Sequence, residues 1–315
     1  MTEAQPIEVD LQQVVDETFD ELSDQRGAGE VADYIPALAE IDPDRFGIAV
    51  ATKDGATFCA GDSGVPFSIQ SISKVFVLAL ALDRHGNKLF RKVGREPSGD
   101  PFNSIVQLER EKGIPRNPFI NAGAIVTTDH LVDDRGYDEA VEELVALLRR
   151  MARDESVYID DDVAQSESQA GARNRSLAHF MDSFDRLINP VETVLAAYFR
   201  QCALAMSCKQ LAEAALFLAF DGKDPVTGAV VTSTARCRRI NALMLTCGHY
   251  DNSGEFAFEV GFCGKSGVGG GILAVVPDKA TIAVWSPGLG DAGTSKLGAK
   301  ALQKIADKTG WSIFG

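Results

Sequence analysis

Residues 75–82 read Val-Phe-Val-Leu-Ala-Leu-Ala-Leu, eight apolar side chains without a break. Such a run is far shorter than the roughly 20 residues a bilayer span needs, so protein must cover it on every side. The preceding Ser71-Ile72-Ser73-Lys74 supplies helix-starting residues, and Gly86 supplies a stop. We therefore read a helix over about 71–84, buried between layers. Side chains at its first turn are then held rigidly, beside unpaired main-chain N–H groups and the positive end of the helix dipole.

Two of those side chains make a chemical pair. Ser71 and Lys74 share a helix face and form the chain's single S-x-x-K sequence. The spacing also fits an ordinary helix start, with Ser68 or Ser71 as cap and Lys74 extended towards solvent. Ser73 points away from Lys74. A second element, Gly-Lys-Ser-Gly-Val-Gly-Gly-Gly at 264–271, has the wrong spacing for a P-loop, because Glu259 stands where a glycine is needed. It leads into a strand-like run, which excludes a dinucleotide fingerprint. It reads either as a glycine-rich bulge or as a Lys265 strand lining a cleft. The second is the K-[ST]-G element that accompanies S-x-x-K in penicillin-recognising serine enzymes. Its glycines would let a substrate approach the backbone.

Around these elements, residues 11–22 have the pattern of an amphipathic helix, and 46–62 that of a hairpin about Asp54-Gly55. Helical spacing recurs over 137–153, 177–187, 190–205, 209–220 and 235–247. Strands are expected at 255–262, 270–277 and 280–287, and a last helix at 295–309. With strands at both ends and helices between, the economical fold is α+β. One mostly antiparallel sheet would be built from 1–65 with 225–315, and 66–224 would form a mainly helical lobe. A cleft is expected between them.

The chain carries 31 basic and 45 acidic residues, a net charge of -14. That argues against nucleic acid or an anionic membrane as partner. The N-terminus is acidic and polar where a secretory signal is basic and then apolar, so a cytoplasmic protein is expected. The six scattered cysteines are then expected as buried thiols. The four histidines have no metal-ligand spacing, and neither a metal nor a cofactor is expected.

Seven segments, in order, resemble the serine-dependent glutaminases, a family related to β-lactamases: 31–39, 67–76, 117–125, 165–175, 197–207, 247–258 and 265–277. The resemblance implies a β-lactamase-like fold, hydrolysis of L-glutamine to L-glutamate and ammonia, and a homo-oligomer, dimer or tetramer. By position it implies Ser71 as nucleophile, Lys74 as its partner, and Tyr34 and Tyr250 as phenols near the reacting centre. It also implies Asn121, Glu167, Asn174, Tyr198, Val268 and Tyr250 as substrate-binding positions, with Glu167 on the ammonium and the Ser71 and Val268 N–H groups as an oxyanion hole. Cys263-Gly264 stands where the family usually has Pro-Ala, which is expected to relax the approach to the Lys265 strand. The alternatives are another acyl-serine hydrolase of this fold and a non-catalytic amino-acid sensor.

Overall fold

The computed structural model describes residues 9–99 and 104–314. Strands β1 (Gly47–Thr52) and β2 (Thr57–Gly61) form the expected hairpin, with Gly55 at positive φ in its turn. Two C-terminal strands, β7 (Gly271–Val276) and β8 (Ala280–Trp285), pair with each other, and β8 pairs with β1. An edge strand, β6 (Cys263–Ser266), completes an antiparallel sheet in the order β2-β1-β8-β7-β6. Three short strands, β3 (Phe67–Ser68), β4 (Tyr158–Ile159) and β5 (Leu204–Met206), make a second sheet that the sequence reading missed.

The main sheet is covered on both faces. Ile48, Val50, Ile272 and Ile282 pack against the Leu11–Leu22 and Lys296–Thr309 helices, through Val15, Leu297 and Ile305. Residues one step along, Ala49, Ala51, Leu273 and Ala283, face the helical middle of the chain. The alternation is the period of two of a strand, and the alanines leave room for helices to approach. Burial on both faces explains why β7 reads as an apolar run and why β8 is interrupted only by Thr281, whose hydroxyl donates to Ala212 O at 2.6 Å.

The Ser73–His85 helix is central as expected, buried from Ser73 to Ala79 and again at Ala81 and Leu82. It starts later than the sequence suggested, because Gln70–Ile72 forms a 3-10 turn ahead of it. Other boundaries also move. The helix expected over 177–187 lies at Ala172–Asp182. That expected over 209–220 breaks at Ala215 into Cys208–Ala214 and Leu216–Ala219. The stretch 255–262 is not a strand: Ser253–Glu259 is a helix, with Phe256 buried and Phe258 85% exposed. The alternating aromatics there do not share a covered face.

Two longer helices had no counterpart in the sequence reading, nor did the short Pro36–Ala39 and Val106–Arg110 helices. Asn121–Val132 is buried at every position after the first, so it lacks the polar face that periodicity detects. Its Gly123 is required, since a β-carbon there would lie 1.8 Å from the Asn117 carbonyl oxygen. Asp161–Ala170 is capped by Asp160, whose carboxylate accepts from Asp162 N and Val163 N. These two helices carry Asn121 and Glu167.

Candidate active site

Ser71 sits in the 3-10 turn that opens the buried helix. Gln70, just before it, is held at φ +49°, a left-handed conformation that costs a non-glycine residue free energy and persists only where the surroundings impose it. The Gln70 side chain donates to Ser68 Oγ at 3.0 Å and also bonds Glu167. Ser68 Oγ in turn donates to the Cys202 carbonyl at 2.9 Å. Ser73 Oγ is turned back onto the Gln70 carbonyl at 2.7 Å, away from any role beside Ser71.

The glycine loop after β6 closes over this turn. A β-carbon on Gly267 would lie 2.5 Å from Ile69 O, and one on Gly269 2.3 Å from Ser68 O. The indole of Trp285 donates to Gly269 O at 2.9 Å and holds the loop down. These glycines therefore serve the close approach of Ser68 and Ile69, where the sequence suggested room for a substrate. Their effect is to set Val268 beside Ser71 on one cavity wall.

That cavity has a volume of about 190 Å³. Of the residues singled out from the sequence, Tyr34, Ser71, Asn121, Glu167, Asn174, Tyr198 and Val268 line it together. Tyr34 stands at the rim, 55% exposed. Lys74 and Tyr250 lie one layer back, each bonded to a lining residue. Lys74 Nζ donates to Asn121 Oδ1 at 2.8 Å and to Phe119 O at 3.3 Å, and Asn121 Nδ2 donates to Asn174 Oδ1 at 3.0 Å. Tyr250, another residue at positive φ (+54°), shares side-chain hydrogen bonds with Ser71 and Ser266.

Lys265 does not line the cavity, contrary to the expectation. Its Nζ donates to Gly248 O at 2.9 Å and Ser266 O at 2.6 Å, 4.6 Å from the Tyr250 ring centroid. It meets the site through that ring. The Cys263-Gly264 departure also acts differently from the expectation. A β-carbon at 264 would lie 2.3 Å from His249 Nε2, so the glycine admits a ring, and β6 keeps its full pairing with β7.

Burial sets the proton affinities. Desolvation draws Lys74 down to about 8, against an opposing pull from Cys202 and Glu167. Desolvation lifts Glu167 to about 7, opposed by its Gln70 bond and by Lys74. Tyr250 is pushed up to about 12 by burial, partly offset by its bonds to Ser71 and Ser266. Lys265 is held well below the ordinary amine value, first by burial and then by Lys74. The site thus holds a weak amine base and a carboxylate that ionises near neutrality, the pattern of groups poised for proton transfer and for cation recognition.

Sequence reasoning missed Ile35, Gln70, Ala170, Gly171, Arg173 and Cys202 as lining residues. Two of them had a signal. Gln70 adjoins Ser71, and Cys202 falls one helical turn after Tyr198 on the Val191–Cys202 helix. All six cysteines are free thiols. Among the described residues no helix is long and apolar enough to cross a membrane.

Comparison with solved structures places the fold first. The chain superposes on a probable glutaminase, YbaS, with a TM-score of 0.92 at 37% identity, covering 96% of this chain and 98% of the other. A probable glutaminase of Bacillus subtilis gives 0.87 at 33% identity, over 96% and 97%. Mglu, solved in a glutamate form, gives 0.88 at 37% identity, over 97% of this chain and 68% of Mglu. The fold is therefore the α+β fold of bacterial glutaminases.

The glutaminase family model matches residues 29–314, and the chain belongs to the glutaminase family. It is 58% identical to a glutaminase of Agrobacterium fabrum over 97% of this chain and 99% of the relative. Identity to a thermolabile glutaminase of Rhizobium etli is 60%, with the same coverage.

Proposed function

We propose that this glutaminase cleaves L-glutamine through a γ-glutamyl ester on Ser71, with Lys74 as base. The observation that carries the reading is that one polar cavity holds the Ser71 turn, a buried carboxylate at Glu167, and Asn121, Asn174 and Tyr198. Glutamine is a zwitterion with a distant amide. Glu167 suits its ammonium, and the asparagine amides with the Tyr198 hydroxyl suit its carboxylate. The amide carbon is then held over Ser71.

In this scheme the neutral Lys74 amine takes the Ser71 proton as Oγ attacks the amide carbon. The N–H groups of Ser71 and Val268 receive the developing oxyanion. Tyr250, protonated at neutral pH, gives its proton to the amide nitrogen as the C–N bond breaks and recovers one from Lys74. Water then attacks the ester by the same groups in reverse, releasing glutamate. Tyr34, on the rim, closes over the bound amino acid. Assembly as a homo-oligomer rests on the family resemblance.

The test is covalent labelling. Purified protein should release ammonia from glutamine, and a diazoketone analogue of glutamine should modify Ser71 and stop turnover. Benzylpenicillin should leave no adduct, because its fused rings lack the α-amino-acid head and would strand Glu167 unpaired. Intact-mass spectrometry with peptide mapping reads both. A penicilloyl ester on Ser71 with no labelling by the glutamine analogue would reverse the assignment.

A further inference from the structure

The segment carrying Tyr250 meets β6 at two glycines. A β-carbon on Gly248 would lie 1.8 Å from Gly264 O; one on Gly264 would lie 2.3 Å from His249 Nε2 and 2.7 Å from Phe256 Cε1. His249 is buried, and its ring stacks on Phe256 with centroids 3.6 Å apart. Neither ring nitrogen has a hydrogen-bond partner among the described residues. Burial, and then Lys265, hold its pKa well below the ordinary imidazole value, so the ring is neutral. An imidazole without charge or hydrogen bond acts there by its shape. Its main chain is tied to the next residue: His249 N donates to Ser253 Oγ at 3.0 Å, and Ser253 Oγ donates to Tyr250 O at 3.4 Å. The seat of the ring therefore fixes where the left-handed turn at Tyr250 begins.

We propose that His249 is a positioning residue: its ring fills the space left by the missing side chain of Gly264, and so holds the Tyr250 phenol against Ser71. The proposal rests on the reading of Tyr250 as a participant in glutamine hydrolysis. It gives the Gly264 departure a purpose, since a β-carbon at 264 would collide with the ring.

The experiment is steady-state glutamine hydrolysis with thermal melting for Gly264→Ala, His249→Ala and the double variant, with Tyr250→Phe alongside. Gly264→Ala should lose at least about tenfold in kcat with KM within about threefold, because the phenol is displaced and the substrate contacts are not. The double variant should be several-fold more active than Gly264→Ala, since the methyl no longer meets the imidazole and Phe256 has room to move. Wild-type kcat in Gly264→Ala, or a double variant no better than it, overturns the proposal. If Gly264→Ala does not fold, His249→Ala decides: it only removes atoms, and an unchanged kcat in that folded variant is equally fatal. Full activity in Tyr250→Phe strikes the reading of Tyr250 instead. The 249–264 coupling would then survive in melting temperature while vanishing from kcat.

Discussion

Lys74 and Lys265 are both fully buried amines, yet their surroundings differ in kind. Lys74 is bonded to a side chain, Asn121, that lines the cavity, and stands one turn beyond Ser71. Lys265 is bonded to two main-chain carbonyls and meets the site through the face of Tyr250. Burial depresses both amines, and Lys265 is the one that does not line the cavity. A lowered proton affinity therefore does not choose the base; geometry has to come first. In our reading Lys74 moves the proton, and Lys265 fastens the Tyr250 segment to β6.

The sharpest way to break that contrast is Lys74→Arg. A guanidinium keeps the charge and cannot lose a proton at working pH, so kcat should fall by about 10²–10⁴-fold. A single-turnover assay showing less than a tenfold loss would move the base elsewhere.

Glu167→Gln comes next. It removes the charge that meets the ammonium, and kcat/KM should fall about ten- to a hundredfold at pH 8. The wild-type profile should rise twice, near pH 7 as Glu167 ionises and near pH 8 as Lys74 loses its proton. The variant should keep only the second rise. Its stability should move the other way. Glu167 has a folded pKa near 7 against 4.5 unfolded, so wild-type stability falls as pH rises through that interval. At about 1.4 kcal/mol per pKa unit, the variant should gain up to roughly 3 kcal/mol at pH 8 and almost nothing near pH 4.5. Melting curves at the two pH values check the sign.

Lys265→Met should cost less, about tenfold in kcat, by loosening the Tyr250 segment, and should leave the rise near pH 8 in place. Disappearance of that rise would invert the comparison and make Lys265 the base. The smallest effect is expected for Ser73→Ala. Activity should stay within about twofold, with stability lower by about 1 kcal/mol for the lost bond to Gln70 O. Any large loss of turnover would reopen the choice between the two serines.

The lysines also show what the sequence could express. Ser71 and Lys74 were legible because three-residue spacing on a helix is local geometry. The position of Lys265 behind Tyr250 was not, since it depends on the left-handed turn at residue 250 and on contacts across the sheet edge. The Leu11–Leu22 helix and the 47–61 hairpin were read correctly because each has one wet face or a strong turn. The Asn121–Val132 helix went unread because a helix covered all round loses its period. Asp161–Ala170 did carry a signal, three aspartates at its start, and was overlooked. Ser253–Glu259 was misread because Phe256 and Phe258 alternate as strand residues do, although only one is covered.

The pairing of β1 with β8 also sets a timetable. Strand β1 ends at Thr52 and its partner begins at Ala280, so one flank of the hairpin stays open while nearly the whole chain is being synthesised. At about 5–20 residues per second that wait lasts roughly 10–45 s. For that time Ile48 and Val50 have neither the neighbouring strand nor the Lys296–Thr309 helix over them. The nascent protein is thus an unfinished sheet with a bare, sticky margin along residues 47–52 until its last strand arrives.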